Sequence, residues 1–374
     1  LVCHRRQQLN RTRERIVSTA LVPAALTELD ATWFDLVLPR STRGGEARAR
    51  VAAVGYEPLP VAGAVGELAR VRLSYGEGGP GPASVIAKFR GTSENQRAMD
   101  AALGTYDRER HFYAEVAAAV PVATPECFFA GDGHRTPLLL ADLAGFRVVD
   151  QVHGLQLPDA ERLMDVLADL HARFWARPLP TGSDWAVSLA DPVFAGMLTQ
   201  LLGSGVSTLR ERYGDRVDQG VLAALEISAP QWSSVLERCD EGPHTLIHND
   251  CRADNIFFSG DDDPVLIDWQ IPAHSRGTQD IAYLLSGSLV PDLLSKTWGA
   301  LVGRYHQRLC ECGVTGYSWE QCLTHYRQSL LYTLTPGVAM LGAMAIAGDE
   351  RGLAESLVLR TLTHAAELDA FATL

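Results

Sequence analysis

Along the chain, the spacing of apolar and polar residues changes character twice. Leu and Trp recur at helical spacing from Val22 to Val37, which predicts a helix ahead of the first sheet. From Val51 the period shortens, and strands are expected at Ala52 to Tyr56, Leu68 to Tyr75 and Ser84 to Phe89. The run Arg70-Val71-Arg72-Leu73-Ser74-Tyr75 alternates polar and apolar side chains, as a half-buried strand does. Gly76 to Pro82 is rich in glycine and proline and reads as a hairpin connection. A helix follows over roughly Ala98 to Ala119, with Tyr106, Glu109, Phe112 and Tyr113 at helical spacing, then two strands at Cys127 to Ala130 and Leu138 to Asp142. Beyond Asp142 the pattern is mainly helical, most clearly from Pro158 to Trp175. One later β signal remains: Ile256 to Phe258, an acidic turn, and Val265 to Trp269. The reading is an α+β chain in which a small β-rich part precedes a larger helical one. Residues 1–17 are expected as a disordered tail, 18–142 as the first lobe and 143–374 as the second, with the hinge near Asp142 to Gly145.

Composition narrows the function. With 374 residues the chain is long enough for two lobes, each with its own core. A net charge of −12 argues against a nucleic-acid partner, because phosphate backbones demand a basic footprint. It leaves nucleotides open, since these need only a local positive cluster and a metal ion. Seven scattered cysteines and no apolar signal core point to a cytoplasmic protein with free thiols. Cys310, Cys312 and Cys322, with His306 nearby, match no common zinc spacing, and the thiols read as helix-core residues. The apolar stretch Gly337 to Gly348 is too short to span a bilayer and reads as a buried helix, so no membrane insertion is expected.

The chemistry concentrates in His248-Asn249-Asp250-Cys251-Arg252-Ala253-Asp254-Asn255, followed across the predicted hairpin by Ile267-Asp268-Trp269-Gln270. Phosphoryl transfer needs positioning and charge neutralisation more than covalent work. One carboxylate must accept the proton of the attacking hydroxyl, and Asp250 is placed for that. Oxygen ligands must hold magnesium against a triphosphate, and Asn255 with Asp268 can supply them. The hairpin would bring both to one end. The chain has four asparagines and two fall inside this octet, so a chance match on a solvated loop is a poor account. The run Asp261-Asp262-Asp263 is most simply the solvated turn between the two strands.

His248 to Gln270 resembles the aminoglycoside and choline phosphotransferase family, closest to its choline/ecdysteroid-kinase-like branch in the Asp-Trp-Gln ending. The resemblance is tight over residues 244–290, looser over about 50–175, and departs at Asn249, where these enzymes usually carry glycine. It implies a two-lobed protein-kinase-like fold, ATP and Mg2+ as cofactors, and a small-molecule hydroxyl acceptor. It also implies a strand lysine paired with a helix glutamate, and Lys88 with Glu109 fit those places. Gly63 and Gly66 stand where a phosphate-covering hairpin would lie, and Leu140, Asp142 and Leu143 where the backbone would meet adenine. Arg252 stands where protein kinases place a lysine near the transferred phosphate, with a surface salt bridge as the alternative. Asp280 resembles a family aspartate that braces the catalytic loop, or else an N-cap. His171 and His248 read as structural. The acceptor is expected near His274, Ser275 and Arg276.

The reading is therefore an ATP:alcohol phosphotransferase acting on an aminoglycoside-, choline- or sterol-like molecule, with a nucleotide-binding pseudokinase module as the alternative. A homodimer stays open. The acceptor is not legible, because one phosphate chemistry serves many second substrates.

Overall fold

The computed structural model describes residues 23, 25–39, 48–59, 66–79, 81–131, 136–179, 185, 186, 188, 190–260, 263–347 and 352–374. The chain divides into two compact units, one of 1–119 with 124–145 and one of 120–123 with 146–374. Residues 120–123 group with the second unit because Ala123 bridges to Val265, its carbonyl accepting the Leu266 N–H at 3.0 Å.

In the smaller unit, helix α1 (Ala31–Val37) starts at Asp30, whose carboxylate accepts the Trp33 N–H at 2.7 Å. The strands are β1 (Val51–Pro58), β2 (Gly66–Tyr75), β3 (Ser84–Arg90), β4 (Cys127–Ala130) and β5 (Leu138–Ala141). They form an antiparallel sheet in the order β1-β2-β3-β5-β4. Alternation along β3 sends Val85, Ala87 and Phe89 into one core with Trp33, Phe34 and Val37 of α1, leaving Ile86 and Lys88 on the opposite face. The helix expected over Ala98 to Ala119 is in fact two. Helix α2 (Glu94–Leu103) stops at Gly104, whose φ of 63° is left-handed and suits a residue without Cβ. Helix α3 (Thr105–His111) then restarts on the Asp100 carboxylate, which accepts from Thr105 Oγ1 at 3.0 Å and the Tyr106 N–H at 2.9 Å. A π turn over Phe112–Val116 continues it.

The larger unit holds helices α4 (Leu157–Phe174), α5 (Pro192–Tyr213), α6 (Gln219–Ser228), α7 (Trp232–Asp240), α8 (Thr278–Ser288), α9 (Pro291–Glu311), α10 (Trp319–Ala347) and α11 (Leu353–Glu367). Two small antiparallel sheets sit among them. One joins β6 (Arg147–Val148), β8 (Ile256–Phe258) and β9 (Val265–Leu266), and the other joins β7 (Thr245–Ile247) to β10 (Ala273–Ser275). Strand β9 is shorter than expected because Asp268 turns the chain out of the sheet at φ 64°. The apolar stretch from Gly337 joins α10, which begins much earlier and carries Pro336 within it. Among the described residues no helix is long and apolar enough to cross a membrane.

The cysteines require a correction. Cys322 is buried, but Cys310 and Cys312 are exposed, so they are not helix-core residues. Cys312 caps the C-terminus of α9 on its solvent side, where its thiol donates to Asp169 at 3.1 Å.

Helices α5 and α10 meet closely at Gly205, where an added Cβ would fall 1.9 Å from the Val338 carbonyl oxygen. Backbone on the far side cannot swing away as a side chain could. Gly205→Ala should therefore destabilise the protein by about 2–3 kcal/mol, read as a lower urea midpoint with an unchanged slope.

Candidate active site

The site is built from the end of β7 onward. After Ile247 the chain leaves its strand as a loop, makes one 3-10 turn at Ala253–Asn255 and enters β8. What holds the loop is Asp280 in the first turn of α8, a fully buried carboxylate. One oxygen accepts the His248 N–H at 2.7 Å and the other the Asn249 N–H at 2.7 Å. His171 of α4 adds a third contact at 3.2 Å through Nε2, and its other nitrogen meets the Tyr305 hydroxyl of α9 at 2.8 Å. Asp280 is thus a brace inside the helix, not its N-cap, which is Gly277.

His248 fixes the loop from within. Its Nε2 lies 2.8 Å from the Ile267 carbonyl and Nδ1 accepts the Asp250 N–H at 3.2 Å, so the ring proton sits on Nε2. The ring packs on Trp269, with centroids 4.4 Å apart. Asn249 has a left-handed φ of 68°, a conformation asparagine tolerates better than most residues.

These constraints gather Asp250, Arg252 and Asn255. Asn255 Nδ2 donates to the Asp250 carbonyl at 2.9 Å and to its carboxylate at 2.8 Å. Burial raises the Asp250 carboxyl above the usual aspartate range, Arg252 opposes the rise, and the nearby Asp268 charge adds to it. Arg252 lies between two carboxylates, Nε at 3.4 Å from Asp250 and Nη1 at 2.8 Å from Asp254. Only 16% of its side chain is exposed, so this is not a surface salt bridge. The Asp254 carboxylate in turn accepts the Gln151 N–H at 3.0 Å.

Asp268 reaches the same place through the hairpin. The Ile267 N–H donates to the Asn255 carbonyl at 3.0 Å, which sets Asp268 one residue beyond the paired position. The Asn255 amide points its nitrogen at Asp250, which leaves Oδ1 as its acceptor, and the Asp268 charge is felt at both Asp250 and Arg252. Among the described residues no group of three or more His, Cys, Asp or Glu is arranged to hold a metal. Two hard oxygen donors nevertheless suit magnesium, which keeps water and phosphate in its other positions.

In the smaller unit, Lys88 Nζ lies 2.5 Å from Glu109 Oε2, with side chains 12% and 2% exposed. Gly63 lies outside the described residues. Gly66 opens β2 where an added Cβ would stand 2.8 Å from the Phe89 carbonyl, so glycine is required there by strand packing. Leu140 is paired in register with Ile86 and Cys127, while Asp142 and Leu143 follow the strand end. Burial alone would raise the Asp142 carboxyl, but hydrogen bonds from Arg70 at 2.7 Å and Ser84 at 2.5 Å outweigh it and hold it low.

The neighbourhood expected for an acceptor is largely internal. Ser275 is fully buried and donates to Asp240. Arg276 is 3% exposed, its guanidinium spent on the Glu241 and Arg238 carbonyls and on Gln328. The polar groups of both are taken up within the chain, so neither side chain is offered to an acceptor bound nearby. His274 is partly buried, and burial holds its pKa down. Asp263 is exposed and its two acidic neighbours lie outside the described residues. Sequence reasoning missed Gln151, Tyr305 and Tyr332, whose distance along the chain gives no local signal.

A profile of the phosphotransferase enzyme family (APH) matches residues 81–319, well over half the chain. The chain belongs to this family. As a family member it shares its kinase-like α+β fold with solved structures at low identity. Choline kinase LicA from Streptococcus pneumoniae is 14% identical, with 85% of this chain and 94% of that chain covered and a TM-score of 0.50. Choline kinase from Cryptosporidium parvum is 13% identical, with 84% and 89% covered and a TM-score of 0.50. Macrolide 2'-phosphotransferase MphH from Brachybacterium faecium is 14% identical, with 81% and 90% covered and a TM-score of 0.47. No curated protein matches.

In this phosphotransferase-family chain the brace should be measurable without any substrate. Asp280→Asn keeps the shape but replaces one charged acceptor with an amide N–H aimed at backbone donors. It should cost roughly 2–3 kcal/mol of stability in urea unfolding, with faster amide exchange at His248 and Asn249.

Proposed function

We propose that the protein transfers the γ-phosphate of ATP to a hydroxyl of a small molecule of the aminoglycoside, choline or sterol kind. The observation that carries this reading is the placement of Asp250, Arg252 and Asn255 in one braced loop, with Asp268 brought beside them by the hairpin. Asp250 would accept the proton of the attacking hydroxyl. Its desolvated carboxylate is a stronger base than a free aspartate, and Arg252 works against that shift. Arg252 would set positive charge next to the base, where negative charge grows on the phosphoryl oxygens. Asn255 through Oδ1 and Asp268 through its carboxylate would hold magnesium, whose part is to neutralise charge on the nucleotide phosphates. In the smaller unit Lys88, oriented by Glu109, would hold phosphate oxygens. A lysine so largely buried is costly without a partner, and the Glu109 carboxylate supplies one.

Two structures of like fold are choline kinases by name, which favours a small alcohol over a protein acceptor. No Ala-Pro-Glu segment follows Asp268, which further disfavours a protein substrate.

The test is ADP release from MgATP with a panel of aminoglycosides, amino-alcohols, sugars and sterols. One acceptor should stimulate release, and Asp250→Asn should lower that rate by about 10²- to 10⁴-fold while leaving MgATP affinity within a few-fold. Because the Asp250 pKa is raised and the ionised form is the base, kcat/KM should fall with acid, starting above the ~3.9 of a free aspartate. Nucleotide binding with no stimulated turnover would leave a nucleotide-binding module. Absence of binding would overturn the proposal.

A further inference from the structure

Asn249 makes three hydrogen bonds, two of them through its side chain. Its N–H is held by Asp280, its Nδ2 donates to the Ile271 carbonyl at 3.0 Å, and its Oδ1 accepts the Tyr332 hydroxyl at 2.7 Å. Both side chains are sealed from solvent, Asn249 at 7% exposure and Tyr332 at 5%. The geometry leaves no freedom in the polarity. A carbonyl at Ile271 requires the amide nitrogen on that side, so Oδ1 faces Tyr332 and the tyrosine must donate. The amide therefore joins three segments: the loop bearing Asp250, the stretch three residues beyond Asp268, and α10.

Glycine at this position would accept the same left-handed backbone, with φ of 68°, and make neither side-chain bond. The turn alone thus does not call for asparagine. Tyr332 also occupies a particular place in its helix. Pro336 has no N–H to give the Tyr332 carbonyl, so one rung of the helix is missing where the hydroxyl reaches out.

We infer that Tyr332 is a positioning residue for phosphoryl transfer, acting through Asn249 to hold the base and the Asp268 segment in register. The inference rests on the phosphotransfer reading above. Its chemistry is geometric. Tyr332 bonds to Asn249 and would act through it, and loss of its hydroxyl leaves the Asn249 oxygen bare and the amide held by its bond to the Ile271 carbonyl alone. Asp250 follows Asn249 directly, and Ile271 trails Asp268 by three residues. A turn of the amide therefore loosens both groups together. Displacements of under an ångström at reacting atoms are enough to cost rate while nucleotide binding persists.

The experiment compares wild type, Tyr332→Phe, Asn249→Gly and the double variant for acceptor-stimulated ADP release, with thermal melting of each. Each single variant should lose about tenfold in kcat with KM for MgATP within twofold. The double should be no slower than the worse single, because both remove the same link. Melting points should stay well above the assay temperature in all four. Unchanged kcat in both singles would overturn the inference, as would losses that multiply in the double, or losses that merely track unfolding. Asn249→Gly guards against misfolding of the tyrosine variant, since it asks nothing new of the backbone. Asp250→Asn separates the two claims. If wild type turns over and Asp250→Asn does not, the result for Tyr332 judges this inference alone. If wild type shows no stimulated turnover, the phosphotransfer reading fails and this inference falls with it.

Discussion

A carboxylate with no access to water must be solvated by the protein, and the Asp280 carboxylate organises much of the larger unit on that account. It lies at the start of α8, where the helix dipole favours negative charge, and it collects the N–H groups of His248 and Asn249 together with the His171 ring. These bonds run in both directions energetically. The charge is tolerable because the loop supplies donors, and the loop has one conformation because its donors have one acceptor. Even the approach of α8 to its neighbours depends on a missing side chain. A Cβ at Gly277 would fall 2.5 Å from the Tyr305 hydroxyl and 2.6 Å from His171 Nδ1.

The charges presented by that loop balance one another. Asp250 and Asp268 repel, and Arg252 lies against Asp250 and Asp254 so that the acidic cluster is partly neutralised before any cation arrives. Asn255 spends its donor on Asp250 and keeps its acceptor, which is the division of labour a ligand to a hard cation requires. The same logic separates binding groups from scaffolding elsewhere. Ser275 and Arg276 are polar residues shortly after Asp268 and mark the neighbourhood expected for an acceptor, but their hydrogen bonds are satisfied internally by Asp240, Gln328 and two carbonyls. A polar residue near a site is informative only when its bonding capacity is left over.

The sequence alone determined the parts of this protein whose signals are local. Alternation along Arg70 to Tyr75 and Ser84 to Phe89 marked strands, because side chains on a strand change face at every residue. The octet from His248 to Asn255 and the hairpin to Asp268 stood out as a candidate site because phosphoryl transfer would demand particular residue types within a few positions, and the likeness to a family came from that stretch. The single helix read over Ala98 to Ala119 failed at Gly104, since a glycine inside a helical pattern does not announce whether its φ is negative or positive. Burial of the cysteines failed in a similar way. Cys310 and Cys312 occupy a helix end, and composition does not say which side of that end meets solvent.

Tertiary structure decided everything that depends on contact between distant segments. Arg252 was equally readable as a surface ion pair, and only its enclosure between Asp250 and Asp254 distinguishes it. Gly66 was readable as a phosphate-loop glycine, and the Phe89 carbonyl opposite it supplies a packing reason for its small size. Tyr332, 83 residues from Asn249, has no sequence signature for its hydrogen bond, because the meeting of α10 with the loop is set by how whole helices pack. Local pattern fixes which groups a segment can offer. Which offers are taken up depends on the burial and pairing that the folded chain imposes, and those are properties of the assembled core.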